Sequence, residues 1–239
     1  MSFLELTALT KNFDGLRAVD GFSLDIPEGS LNALVGPNGC GKSTLFNLIT
    51  GVLKPDAGQV NFRDQDITGW PPHRIARLGI GRKFQVPAIF EELTVRENLT
   101  VAAKRSGNRV SIDTILEQIN LADRRDTFGG ELAHGQKQWL EIGMLLAQAP
   151  SLILLDEPTA GMTGAETKAT ADLIRTINQE QDITVLVIEH DMGFIEYLGC
   201  PLNVMSKGQI LKSGSFDEIR NDAEVKALYF GNTVVPADA

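Results

Sequence analysis

Three features of the 239-residue sequence predict an α/β fold with a mostly parallel sheet. Short, largely apolar runs at Leu31–Val35, Leu152–Leu155 and Thr184–Ile188 read as strands buried on both faces. The first two run into a glycine-rich loop or an acidic turn, and helical spacing follows, the alternation that builds a parallel sheet. Between about Val95 and Gln148 the pattern changes, strand signals vanish, and a helical subdomain inserted in the α/β core is expected.

Taken in order, the opening stretch reads as β. Leu4, Leu6 and Ala8 alternate with polar neighbours, and Phe22, Leu24 and Ile26 alternate again before the turn Pro27-Glu28-Gly29. After Val35 comes Gly36-Pro37-Asn38-Gly39-Cys40-Gly41, then Leu45, Leu48 and Ile49 at helical spacing, with Gly51 expected to close the helix. In the insertion, Ile112, Ile115, Leu116 and Ile119 repeat at helical spacing, as do Leu140, Ile142, Leu145 and Leu146. A helix is expected over Glu166–Gln179, and Leu202–Leu211 reads as a hairpin turning at Lys207-Gly208. The expected organisation is one domain over 1–239, with its core at 1–86 and 150–232, helices at about 87–149 and a flexible tail at 233–239.

Composition excludes several classes. With 22 Lys+Arg against 31 Asp+Glu the net charge is −9, which argues against general nucleic-acid binding, because phosphate contacts need clustered cations. No apolar run reaches the ~18–20 residues of a membrane helix, and the N-terminal residues lack a signal-peptide core. Two cysteines, Cys40 and Cys200, make no disulfide framework, so a reducing compartment is expected.

The chemistry concentrates in a few places. Gly36–Ser43 fits G-x-x-x-x-G-K-[ST] between a strand and a helix. Its glycines let backbone N–H groups converge on phosphate oxygens, and the helix N-terminus adds partial positive charge. Lys42 would reach the β- and γ-phosphates and Ser43 would ligate Mg²⁺. Asp156 ends an apolar strand and would hold the same metal, while Glu157 is the natural base or water-orienting group. His190, after the third strand, would emerge at the same edge, meet the γ-phosphate and orient Glu157. Gln85, between core and insertion, would touch metal or water. Leu132-Ala133-His134-Gly135-Gln136 precedes a strongly periodic helix whose free N–H groups suit an anion.

These residues resemble the ATP-binding subunit of ABC transporters over nearly the whole chain. Gly36–Ser43 is similar to the Walker A loop (with Thr44 beside it), Leu152–Asp156 to Walker B, and Gln85 to the Q-loop. Ala133, His134, Gly135 and Gln136 fall in the LSGGQ signature, Ala160–Thr163 in the D-loop, and His190 at the switch histidine. The resemblance implies a P-loop NTPase cassette with a RecA-like core, an antiparallel N-terminal β part and ATP with Mg²⁺. It also implies head-to-tail pairing with a second cassette, identical or different, each ATP lying between one Walker A and the other signature. Phe13 falls where the family stacks an aromatic ring on adenine. The chain most resembles the branched-chain amino-acid and urea uptake group: Gly79–Gln85, Gln136–Met144, Ala160–Thr163 and Glu189–Met192 look most like its urea-type member, and Tyr229–Gly231 is similar to the group's usual ending.

That group implies transmembrane permease subunits, an external solute-binding protein and attachment to the cytoplasmic face of the membrane; Phe84–Glu92, which joins the nucleotide site to the insertion, is the candidate docking surface. A lipopolysaccharide-type export cassette and a non-hydrolysing ATP-binding partner are the alternatives. Two departures stand out: Ala133 where a signature Ser is usual, and Gly164 where the urea-type group tends to be acidic. Cys40 occupies a loop position usually held by Ala or Ser, and a thiol reagent there is expected to block ATP.

Overall fold

The computed structural model of the protein describes residues 3–83, 88–104 and 111–230. The chain opens on the hairpin β1 (Leu4–Phe13) and β2 (Leu16–Ile26), then crosses to β3 (Leu31–Val35) and α1 (Lys42–Ile49). β4 (Ala57–Phe62) and β5 (Gln65–Asp66) return to the hairpin and complete a four-stranded antiparallel sheet in the order β2-β1-β4-β5. α2 (Pro72–Arg77) and β6 (Ile80–Lys83) follow, then α3 (Val95–Lys104), α4 (Ile112–Gln118) and α5 (His134–Leu146). The rest runs β7 (Leu152–Asp156), α6 (Gly164–Gln181), β8 (Thr184–Ile188), α7 (Met192–Leu198), β9 (Leu202–Ser206), β10 (Gln209–Gly214), α8 (Phe216–Asn221) and α9 (Ala223–Phe230). The second sheet has the order β10-β9-β3-β8-β7-β6 and is parallel except for the β9–β10 hairpin.

The apolar runs are continuous because this sheet is covered on both faces. On β7, Leu152 and Leu154 join the cluster around Phe46 and Leu45, whereas Ile153 and Leu155 join the opposite cluster with Ile174 and Phe194. β8 divides in the same way, Leu186 and Ile188 one way and Val185 and Val187 the other. Each such side chain contributes about 1.5–3 kcal/mol on burial.

Two expectations are corrected. Ala8 is exposed, not buried: a register shift between Leu6 and Leu9 interrupts the alternation and leaves Leu9 as the buried residue. Ala8 adopts a left-handed φ of 48°, and the facing Gly58 (φ 86°) leaves room for it, since a Cβ there would lie 2.4 Å from the Ala8 carbonyl oxygen. The helix expected from Glu166 begins at Gly164, because Thr163 and Glu166 cap each other. The Thr163 N–H and hydroxyl donate to Glu166 Oε2 at 2.9 and 2.8 Å, which lowers that carboxyl's pKa. At the other cap named from sequence, α1 stops at Thr50 and Gly51 follows with φ 71°.

The three helices α3, α4 and α5 meet at Gly143, where a Cβ would come 2.7 Å from Ile119 and 3.1 Å from Leu99. Asn98, fully buried on α3, ties the preceding loop to this cluster. Its Oδ1 accepts from the Phe90 N–H at 2.8 Å, and its Nδ2 donates to the carbonyls of Phe90, Leu93 and Thr94 at 2.9–3.2 Å. Asn98→Ala should therefore cost about 2–4 kcal/mol, since several buried polar groups lose their partner at once. At about 2–4 °C per kcal/mol for a chain of this size, a thermal melt should show Tm down by roughly 5–15 °C, against almost no change for an exposed control such as Lys104→Ala.

Candidate functional site

The parallel strands deliver their following turns to one edge of the sheet. β3 runs into the loop 36–41, and α1 begins at Lys42 with Gly41 as its N-cap and no capping side chain. Its first turn therefore keeps backbone donors for an external anion. Gly41 is required twice over: φ is 111°, and a Cβ would stand 2.2 Å from the Ala18 carbonyl oxygen of β2. Lys42 is buried, and its Nζ donates to Gly36 O at 2.6 Å and Pro37 O at 3.1 Å, so the ammonium is folded over the loop.

A cleft of about 390 Å³ lies at this edge, lined by Phe13, Leu16, Ala18, Asn38, Gly39, Gly41, Lys42, Ser43, Thr44 and Glu157. Phe13 is 40% exposed, with Lys11 Nζ 5.8 Å from its ring centroid. Glu157 follows β7 with a left-handed φ of 46°, and its N–H donates to Ile188 O at 2.9 Å. Its Oε1 lies 3.5 Å from His190 Nδ1, and that same nitrogen is 3.7 Å from Glu189 Oε2. Asp156 is buried and paired with Arg82 at 3.0 Å, while Arg82 also donates to Asn47 Oδ1 at 2.6 Å. A larger cleft of about 440 Å³, between α7, α8 and α9, contains none of these residues.

The residues expected to act together are thus mostly adjacent. Asn38, Gly39, Gly41, Lys42, Ser43, Thr44, Phe13 and Glu157 share one cleft and His190 adjoins Glu157, whereas Gly36, Pro37, Cys40, Ala133, His134, Gly135 and Gln136 do not line it. The last four form the start of α5, against the turn that follows β7. Ala133 is the N-cap but has no side-chain acceptor, so only half a capping box forms, with Gln136 Oε1 accepting from the Ala133 N–H at 3.1 Å. Gln85 lies outside the described residues, as do Phe84 and the tail 231–239.

Sequence reasoning missed Arg82 and Glu189 as parts of this site. Glu189 is buried, accepts from the Thr159 hydroxyl and N–H and from the His190 N–H, and so ties the β7 and β8 turns together. Its one signal in sequence was its position between an apolar strand and His190.

The oxygen donors Ser43 and Asp156 suit a hard divalent cation such as Mg²⁺. Among the described residues no group of three or more His, Cys, Asp or Glu gathers as a cage.

The two-sheet α/β core that carries this loop, Asp156-Glu157 and the facing histidine has close counterparts. The ABC transporter family model matches residues 19–160. The chain is similar over 96% of its length to a nucleotide-free ATP-binding cassette from an ABC transporter (TM-score 0.85, 32% identity, 99% of that chain). It is similar over 97% of its length to an ABC transporter cassette solved in its ADP conformation (TM-score 0.87, 33% identity, 99% of that chain). The protein belongs to the ABC transporter family, as an ATP-binding cassette with ATPase activity.

Within that family it is similar to proteins of branched-chain amino acid transport. The high-affinity ATP-binding protein BraF of Pseudomonas aeruginosa is 36% identical over 95% of this chain and 97% of its own. LivG of Escherichia coli is 35% identical over the same shares. The probable LivG of Methanocaldococcus jannaschii is 34% identical over 97% of this chain and 98% of its own. Among the described residues no helix is long and apolar enough to cross a membrane.

The thiol of Cys40 is more protected than its loop position suggests. It is buried beside Lys42 Nζ (3.8 Å), and burial raises its pKa more than the ammonium lowers it. Burial pushes the Cys200 thiol up to about 12. A raised pKa means less thiolate at a given pH, so alkylation of both should be slow at pH 7–8 and accelerate only as pH climbs toward the raised values. Iodoacetamide labelling followed by mass spectrometry checks this. Neither thiol should approach the rate measured in denaturant, and Cys200 should remain the slower at pH 9.

Proposed function

We propose that this chain is the ATP-hydrolysing subunit of an uptake transporter of the branched-chain amino-acid and urea group, turning over ATP to drive closure and reopening of a cassette pair. The observation that carries it is the shared cleft in which Lys42, Ser43 and Glu157 face one another with His190 against Glu157. In this reading the loop N–H groups and Lys42 bind the β- and γ-phosphates, and Phe13 packs on the base. Ser43, Asp156 and Gln85 hold Mg²⁺, which when bound supplies charge neutralisation on the phosphates. Glu157 accepts a proton from the attacking water. His190 keeps Nδ1 toward the two carboxylates, which leaves Nε2 for the γ-phosphate. The Glu157–His190 pair favours hydrolysis over passive ATP binding.

Ala133, His134, Gly135 and Gln136 lie away from this cleft, and in this reading they complete the site of a second cassette. Phe90 and Phe128, 48% and 49% exposed beside the loop that Asn98 holds, are the surface offered to a membrane permease. An external solute-binding protein would act through that permease, and membrane attachment would follow from the same contact. The helices of about 87–149 would carry motion between cleft and permease. The relatives' names favour branched-chain amino acids as cargo. The wording of Gly79–Gln85 and Glu189–Met192 favours urea.

Two measurements test the reading. Glu157→Gln should keep ATP binding and lose about 10²–10⁴ in turnover, the usual contribution of a positioned base; unchanged turnover would overturn the role of Glu157. Cells lacking this chain should lose uptake of labelled leucine or labelled urea, restored by the wild type and not by Lys42→Ala. Loss of one solute alone fixes the cargo, and loss of neither overturns the uptake reading.

A further inference from the structure

His134 stands in the signature-like segment, yet its ring is engaged within its own chain. His134 Nε2 lies 2.9 Å from Ala160 O, and since a carbonyl only accepts, Nε2 carries the proton and donates. One turn along α5, the fully buried Gln138 sets its amide nitrogen 3.3 Å from the same Nε2, while its Oε1 has no partner among the described residues. A protonated ring nitrogen cannot accept from that amide. With the amide turned over, Oε1 lies beside Nε2–H and accepts from it, while the amide nitrogen moves to the position that had no partner among the described residues. The ring N–H then sits between two acceptors. Gly161 leaves it room, since a Cβ there would come 3.3 Å from the ring.

The other end of this contact leads to Glu157. The Ala160 N–H donates to Glu157 O at 3.3 Å, and the Met162 N–H to Thr159 O at 3.1 Å, so residues 157–162 form one tight turn. On the sheet side, Glu189 grips the turn at Thr159. On the far side, His134 grips it at Ala160.

We propose that His134 is a positioning residue for Glu157, latching the 157–162 turn to the start of α5 so that the carboxylate is in place only when α5 is. This rests on the reading of Glu157 as the group that activates water. A displacement of α5 relative to β7 breaks the latch and releases the turn.

The test uses the full chain assembled with its membrane subunits, with ATPase kinetics for the wild type, His134→Ala, His134→Gln, Gln138→Met, the His134→Ala/Gln138→Met double variant and Glu157→Gln. Loss of one neutral hydrogen bond should lower kcat about three- to tenfold in His134→Ala. Rates are compared at saturating ATP, because in the reading above the same segment also completes the second cassette's site and its alteration can raise KM there. His134→Gln, whose amide reaches Ala160 O, should recover most of the rate. The double variant should be no slower than its slower single variant, because both changes loosen one ring. No recovery of kcat in His134→Gln, or additive losses in the double variant, would overturn the latch. If Glu157→Gln turns over normally, the reading of Glu157 falls and the latch with it. If Glu157→Gln is inactive while His134→Ala keeps the wild-type kcat, the latch alone falls.

Discussion

The parallel register of β3, β8 and β7 is the constraint on which the site depends. Leu34 pairs with Ile188 and Ile188 with Asp156, so the residues that follow each strand (Gly36, Glu189 and Glu157) arrive side by side. Strands stand about 4.8 Å apart, the separation over which a phosphate loop, a carboxylate and a histidine can reach one small group. The register is held by the core. A slip of one residue on β7 would send Leu152 and Leu154 to the face now filled by Ile153 and Leu155, disturbing both clusters at once.

Under the cleft runs a layer of buried charge that ties the site to the inserted helices. Consecutive residues at the end of β6 point to opposite faces: Arg82 to Asp156, Asn47 and the ring of Phe46, Lys83 to Glu141 on α5 at 3.7 Å. Burial lowers the pKa of the Lys83 ammonium, while Glu141, Asp156 and Glu189 act to raise it. Such pairs add little net stability over apolar packing, but removing one partner strands the other charge at a cost of about 3–5 kcal/mol. They therefore fix geometry more than they add stability, holding the strand that leads into residue 84 on both of its faces.

Legibility in the sequence followed the distance over which each interaction acts. The phosphate loop is a contiguous motif whose flanking strand and helix are local, so Gly36–Ser43 could be placed without a partner. Asp156, Glu157 and His190 were legible because each ends an apolar run. Arg82 and Glu189 were not, because their roles come from pairing with Asp156 and Thr159 across strands that sequence alone does not align. The bulge at Ala8 escaped for the same reason: alternation predicts one face, and only Gly58 on another strand shows why the phase breaks. β4 and β6 were likewise missed, because neither carries a continuous apolar run. Nothing in the sequence marks Asn98, since its partners are backbone groups of a loop with no motif.

The backbone at Glu157 shows what this arrangement demands of the chain. A left-handed φ at a non-glycine residue costs on the order of 1–3 kcal/mol and persists only where its surroundings over-determine it. Glycine would relieve that strain and remove the carboxylate. The strain is offset by the bond from its N–H to Ile188 O, which extends the β7–β8 ladder one residue beyond Asp156. With the N–H committed to the ladder, the main chain must turn sharply, which brings the Glu157 side chain to the wall of the cleft and the turn 157–162 toward α5. The sheet that creates the edge thus also fixes where the carboxylate stands, and what remains adjustable is the far end of that turn.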